Sequence, residues 1–164
     1  MGRNPVIVPF KEANHSHGRC LDTALARAER VCRERRVRLT PLRRRVLELV
    51  WGSHEPVKAY ELLDRLRDEH QGAAPPTVYR ALEFLLQQGF VHRLVSLNAY
   101  IGCGEPGHDN VAQFLICRHC GEVAELDDAA ISRLLETRAG ELGFSVQGYA
   151  LEVRGCCAKC GAGA

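Results

Sequence analysis

A chain of 164 residues, 46% hydrophobic and 26% charged with a net charge of +2, has enough apolar material for one domain or two small ones. It holds no apolar run long enough to span a bilayer, and its start, MGRNPVIVPFKEANHSHGR, breaks each apolar stretch with Pro, Lys or His, so neither a membrane protein nor a secretory leader is expected. Eight cysteines in a chain expected in the cytoplasm point away from a disulfide framework and toward metal ligands or a redox pair.

In chain order, residues 1–20 read as a flexible arm. LDTALARAERVCRERR (21–36) has helical composition, with Leu21, Leu25, Ala28 and Cys32 on one stripe. In VRLTPLRRRVLELVWGS, Thr40 is suited to cap a helix and Pro41 to open it, and Leu42, Val46, Leu49 and Val50 form its buried face. KAYELLDRLRDEH is a third amphipathic segment with Leu62, Leu63 and Leu66 facing in. PTVYRALEFLLQQG is a fourth, stopping at Gly89. The period then shortens, and FVHRLVSLNAYIGC reads as two strands around Ser96–Asn98. Helices closed by a hairpin predict a winged helix over residues 21–103, with the helix before the wing entering the major groove. After a hinge at 104–111, AQFLIC, GEVAEL, DDAAISRLLETRAGEL and FSVQGYALEVRG read as strand, strand, helix and long strand. They make a small α/β domain over 112–164, with Asp127 or Asp128 placed to cap the helix. The fold class is α+β.

Residues 1–95 carry +6 and residues 96–164 carry −4, while six of the eight cysteines follow residue 96. A basic, anion-binding part joined to a metal-binding part is the expectation. LICRHCGEV and RGCCAKCG each hold a C-x-x-C pair, with 36 residues between them. Two such knuckles at strand ends can bring Cys117, Cys120, Cys157 and Cys160 to the corners of a tetrahedron with Zn–S bonds of about 2.3 Å. Such a site is closed and structural, with no vacancy for catalysis. A redox dithiol is the alternative, and Cys156 competes with Cys157. His92, Cys103, His108 and Glu125 make a second, charge-neutral donor set for Zn²⁺, and its single thiolate predicts weaker, faster-exchanging binding. His15, His17 and Cys20 in NHSHGRC are either a third metal site or part of a solvated arm. No H-E-x-x-H occurs, and neither proposed site pairs an open position with a general base, so an enzyme is not expected.

RLTPLRRRVLELV, PPTVYRALEFLLQQGFVHRL and the paired knuckles closely resemble the ferric uptake regulator family, and within it the zinc uptake branch, over about residues 21–161. The resemblance implies a dimeric winged-helix repressor whose second domains pair through their sheets. It would act as a zinc-bound homodimer on a palindromic double-stranded DNA operator of zinc-uptake genes, in a bacterial cytoplasm, with two zinc ions per subunit. Cys117, Cys120, Cys157 and Cys160 fall on the family's structural zinc ligands. His92, Cys103, His108 and Glu125 fall on the regulatory ligands of the zinc branch, with Glu122 as the alternative carboxylate. Iron and peroxide sensors of the family carry a His-His-Asp-His run where this chain has GHDN, and the Cys103 thiolate favours zinc over ferrous iron.

On the DNA side, Arg80 suits a guanine edge. Tyr60 matches a base-contacting position in the resemblance, Thr77 and Tyr79 suit phosphate, and Arg43, Arg44 and Arg45 either track the backbone or form a solvated face. Asp64 and Arg67 either pair along their helix or bridge two adjacent dimers on one operator. Two rival readings stand beside this one: an iron or peroxide sensor of the same fold, and a zinc-ribbon module whose metal is structural only.

Overall fold

Apolar residues at helical spacing turn the first half of the chain into four helices, α1 (His17–Glu34), α2 (Pro41–Trp51), α3 (Ala59–Glu69) and α4 (Pro75–Gln87). The computed structural model describes residues 5–10, 17–52, 55–69, 72–106 and 111–161, and of His17 the backbone only. The chain divides into two units, one of residues 11–107 and the other of residues 1–10 with 108–164.

In the first of these units the expected stripes face inward. Leu25, Ala28 and Cys32 of α1, Val46, Leu49 and Val50 of α2, Leu62, Leu63 and Leu66 of α3, and Val78, Leu82 and Leu85 of α4 share one core. Leu21 and Leu42 pack at its margin. Each fully buried leucine contributes about 1.5–3 kcal/mol. That packing, more than intrinsic propensity, holds helices that would be marginal alone.

Local chemistry sets the helix ends. Thr40 Oγ1 accepts from Arg43 N at 3.4 Å, and Pro41 opens α2 as expected. Glu61 reaches back to the Lys58 N–H at 2.9 Å, half of a capping box at the start of α3. Past the end of α4, Gly89 (φ 73) donates to Leu86 O and Phe90 to Leu85 O, the paired bonds of a Schellman turn. The same turn ends α1, with Arg36 donating to Arg33 O and Val37 to Cys32 O. Its left-handed residue, however, is Arg36 (φ 55).

The hairpin is β2 (Val91–Leu94) and β3 (Ala99–Gly102), antiparallel, joined through a 3-10 turn at Val95–Leu97 and a left-handed Asn98. Val57 and Tyr100 exchange two backbone bonds of 2.8 Å, so the segment before α3 adds a short third partner to the wing.

The other unit is a four-stranded sheet in the order β1-β5-β4-β6, from β1 (Val6–Val8), β4 (Val111–Cys117), β5 (Val123–Leu126) and β6 (Tyr149–Gly155). α5 (Ala129–Glu141) runs between β5 and β6, and a short α6 (Ala158–Gly161) follows. β4 and β5 are antiparallel, whereas β4 and β6 are parallel from Val111↔Tyr149 to Cys117↔Gly155. A parallel pair needs a long crossover, and α5 lies within it. Gln113, 1% exposed, ties the start of α5 to the sheet, donating to Asp128 O, Ser132 Oγ and Tyr149 Oη. Asp128 caps α5 by accepting from Ala130 N at 2.7 Å.

Two expectations are corrected. The arm over residues 1–20 is not wholly unstructured, because Val6–Val8 pairs with β5 and α1 already begins at His17. Three β-branched residues suffice to cover an otherwise open sheet edge. The long strand expected from Phe144 begins only at Tyr149, where β4 first offers a partner at Val111.

Because a side chain at a left-handed position costs about 1–2 kcal/mol, Arg36→Gly is expected to stabilise the protein. The net gain should be about 0.5–1 kcal/mol once the freedom of an unfolded glycine is subtracted. Differential scanning calorimetry should show a higher Tm, and a lower one would refute this account of the α1 cap.

Candidate metal centres and nucleic-acid interface

The parallel β4–β6 pairing explains why cysteines so far apart in sequence meet. Cys117 ends β4 and lies opposite Gly155, the last residue of β6, so both knuckles emerge at the same end of the sheet. Arg118 N donates to Gly155 O at 2.9 Å, joining the first turn to the second. The first knuckle turns back through Gly121 (φ 75), whose N–H reaches Cys117 O at 3.1 Å. The second closes with Cys160 N on Cys157 O at 3.0 Å.

The sulfurs of Cys117, Cys120, Cys157 and Cys160 all lie within 4.8 Å of one another, and Cys120 Sγ and Cys157 Sγ are 3.8 Å apart. Four sulfurs bound tetrahedrally at about 2.3 Å stand about 3.8 Å apart, so the set is of the size that zinc requires. Cys156 is not one of the four; it is exposed, with its Sγ directed at Cys157 O at 3.6 Å. Glu122, the alternative carboxylate for the other site, pairs with Lys159 at 3.4 Å beside these knuckles.

Electrostatics within the cluster is uneven. Backbone N–H groups of Cys120 and Cys157 pull the Cys117 thiol down to about 5 against the opposing effect of burial. One of these bonds is Cys157 N to Cys117 Sγ at 3.4 Å. Hydrogen bonding with Cys157, followed by burial, pushes Cys160 up to about 12. The cluster without a cation thus keeps a proton on Cys160 at neutral pH, and that proton must leave when a divalent ion takes the sulfur.

The second donor set is divided between the units. In the 11–107 unit, His92 sits on β2 opposite Ile101, and Cys103 follows two residues later on the same face of the hairpin. Cys103 N continues the ladder to Phe90 O at 3.0 Å, and a His92 ring nitrogen lies within 4.8 Å of Cys103 Sγ. Glu125 is on β5 of the other unit, opposite Phe114 and Val8. His108 lies outside the described residues. So do His15 and the side chain of His17, while Cys20 is half-buried in α1, against the helical core.

On α4, Pro76, Tyr79, Arg80, Glu83 and Gln87 are exposed at helical spacing, forming the face that the core leaves outside. Thr77 is half-buried in its first turn and Tyr60 is exposed on α3. Arg43, Arg44 and Arg45, expected either to track a nucleic-acid backbone or to form a solvated face, are half-buried and also make contacts within the protein. Arg43 stacks 3.7 Å over the Phe84 ring and donates to Arg38 O at 2.7 Å. Arg44 pairs with Glu29 and Glu48, and Arg45 with Glu69 and Glu48. Asp64 and Arg67 are 3.8 Å apart along α3, both well exposed.

One feature escaped sequence reasoning. α5 buries none of its residues, and Leu134, Leu135, Leu142, Phe144 and Val153 are exposed together with the outer edge of β6. The signal available was the Leu134–Leu135 pair within a helix whose apolar residues exceed what one sheet face covers.

A family model described as the ferric uptake regulator family matches residues 34–154. The chain is 43% identical over 139 residues to the zinc uptake regulation protein of Escherichia coli (strain K12), covering 83% of this chain and 80% of that one. A solved structure described as a zinc uptake regulator complexed with zinc and DNA is 41% identical, with a TM-score of 0.80 over 87% of this chain and 95% of its own. Another, described as holo XcZur, is 48% identical with a TM-score of 0.80, covering 86% and 99%. Among the described residues no helix is long and apolar enough to cross a membrane.

Cys117→Ser and Cys160→Ser are each expected to abolish tight metal retention through gel filtration and to lower the Tm, read by elemental analysis and calorimetry. In the parent protein, metal uptake at this cluster should release protons and tighten as pH rises, since Cys160 starts protonated. Calorimetric heats that do not depend on the buffer's ionisation enthalpy would contradict this.

Proposed function

The chain belongs to the ferric uptake regulator family, and from that membership we propose that it is a zinc-responsive transcriptional repressor. Its zinc-loaded homodimer binds a palindromic operator in the bacterial cytoplasm and represses zinc-uptake genes. The observation that carries this reading is the pairing of His92 with Cys103 on one face of the wing hairpin. A closed four-cysteine centre alone describes a structural module, whereas a separate mixed-donor set supplies a second ion that can come and go. Cys103 gives that set a soft thiolate, which suits zinc better than ferrous iron.

In this reading each subunit holds two zinc ions. Cys117, Cys120, Cys157 and Cys160 retain one as a permanent brace. His92, Cys103, His108 and Glu125 hold the other, which, when bound, restrains the wing relative to β5. His92 and Cys103 fix its place on the hairpin, Glu125 supplies a carboxylate from the sheet, and His108 supplies an imidazole from the connection between the units. The apolar face of α5 with Phe144 and Val153 supports dimer formation, since a patch of that kind is seldom left in water. In the dimer, the two α4 helices must meet major-groove faces about one helical turn apart. Restricting how the units move raises the fraction of molecules with both helices in place, and apparent DNA affinity rises with that fraction. Linkage requires DNA to tighten zinc by the same factor.

Arg80 is assigned to a guanine edge, worth about 1–3 kcal/mol of discrimination. Tyr60 is assigned to a neighbouring base, and Thr77 and Tyr79 to phosphates beside the start of α4. Asp64 and Arg67 can exchange their mutual contact for partners on an adjacent dimer, allowing two dimers on one operator.

Mild chelation is expected to remove one zinc per chain and abolish operator binding, leaving the other zinc and the dimer in place. Cys103→Ser should keep the fold and lose the zinc response in gel-shift titrations at controlled free zinc. Operator affinity unchanged by chelation would eliminate sensing and leave the structural-zinc module. Separately, Arg80→Ala should relax discrimination at one base position by about tenfold or more; normal binding and specificity would reassign the base contact.

A further inference from the structure

The residues on either side of Cys103 are each held by a side chain from a different helix. Before it stands Gly102, the last residue of β3. The indole of Trp51, at the end of α2, lies against that glycine so closely that a Cβ there would stand 2.3 Å from Cε2, 2.4 Å from Nε1 and 2.8 Å from Cδ2. Real side chains do not make such contacts, so only glycine admits the ring. After Cys103 comes Gly104, whose carbonyl accepts a hydrogen bond from Arg27 Nη1 of α1. Between them, Cys103 itself is 2% exposed and bonded through its N–H to Phe90 O. Residues 102–104 are therefore gripped at three consecutive points, two of them by side chains that offer no metal ligand.

A surface loop needs no such restraint, but a metal-binding thiolate does. A ligand held in place before the ion arrives loses little freedom on binding, and groups behind a ligand commonly set affinity as strongly as a change of donor. We propose that Arg27 and Trp51 are positioning residues for the exchangeable zinc: they preset the Cys103 thiolate on the face it shares with His92 and so determine the zinc concentration at which the protein responds. This inference rests on the reading of Cys103 as a ligand of that ion. It also explains why an arginine is spent on a loop carbonyl, and why the bulky Trp51, the chain's single tryptophan, ends α2 where β3 carries a glycine. Because α1 and α2 belong to the same core as α4, the ligand loop is tied directly to the body that carries Arg80.

The test uses full-length protein with the four-cysteine zinc retained, titrated with zinc in free-metal buffers and, in parallel, with cobalt, whose thiolate charge-transfer band reports the Cys103–metal bond. Arg27→Ala and Gly102→Ala are expected to weaken the exchangeable site about tenfold or more, and the milder Trp51→Phe to weaken it less. Arg27→Lys, which keeps a donor, should recover most of the loss. Operator affinity at saturating zinc should stay at the parent's value, a result that general damage to the fold would not give. Parent-like zinc affinity in Arg27→Ala and Trp51→Phe, with Cys103→Ser still abolishing the cobalt band, overturns the positioning role alone. If Cys103→Ser leaves both the band and the zinc affinity intact, the ligand assignment falls and the inference falls with it.

Discussion

The parallel pairing of β4 with β6 is the constraint on which the sheet-containing unit depends. Two strands running the same way finish side by side, and here each finishes in a cysteine knuckle. The connection that makes this possible must cross β4, and α5 lies in that crossing, anchored at its start by the buried amide of Gln113. Yet α5 buries none of its own residues. The unit therefore has a thin apolar interior, built mainly on Phe114, Ile116, Val123 and Ala124. A small domain in that position needs a staple, and four cysteine sulfurs gathered at one end of the sheet are placed to supply one by holding a metal ion.

The two donor sets divide chemical labour by softness and count. Four sulfurs around one cation leave no open position and exchange slowly, which suits a permanent brace. In the function proposed here, one sulfur among nitrogen and oxygen donors makes the second set the one that fills and empties. The hairpin side of that second set is built with more care than a surface loop requires. His92 and Cys103 share a face because strand pairing fixes their register, and the neighbours of Cys103 are held by α1 and α2.

Much of this was legible in the sequence because it follows local rules. Helical periodicity placed the four helices of the 11–107 unit, Thr40–Pro41 marked the start of α2, and Gly89 marked the end of α4. The C-x-x-C pairs were visible as spacing, though their meeting depended on a strand order that spacing does not contain. What stayed hidden was nonlocal or a matter of competition between partners. Val57 bridges Tyr100 as a single residue and has no period to read. Val6–Val8 is too short to stand out between Pro5 and Pro9. The three consecutive arginines read as a basic run, and their pairing with Glu29, Glu48, Glu69 and the Phe84 ring appears only in the fold. The grip on Cys103 joins residues from three distant stretches and could be found only in the folded chain.

The small strand at the beginning of the chain has a practical corollary. Val6–Val8 occupies the outer side of β5, whose other side is already satisfied by β4. Proteolytic trimming of the first ten residues would leave β5 with a row of unmatched amides, a template for strand addition between copies. The same cut would disturb the neighbour of Glu125, since Val8 stands opposite it. An innocuous-looking opening segment is thus both a guard against aggregation and a flank to the carboxylate proposed as a metal ligand.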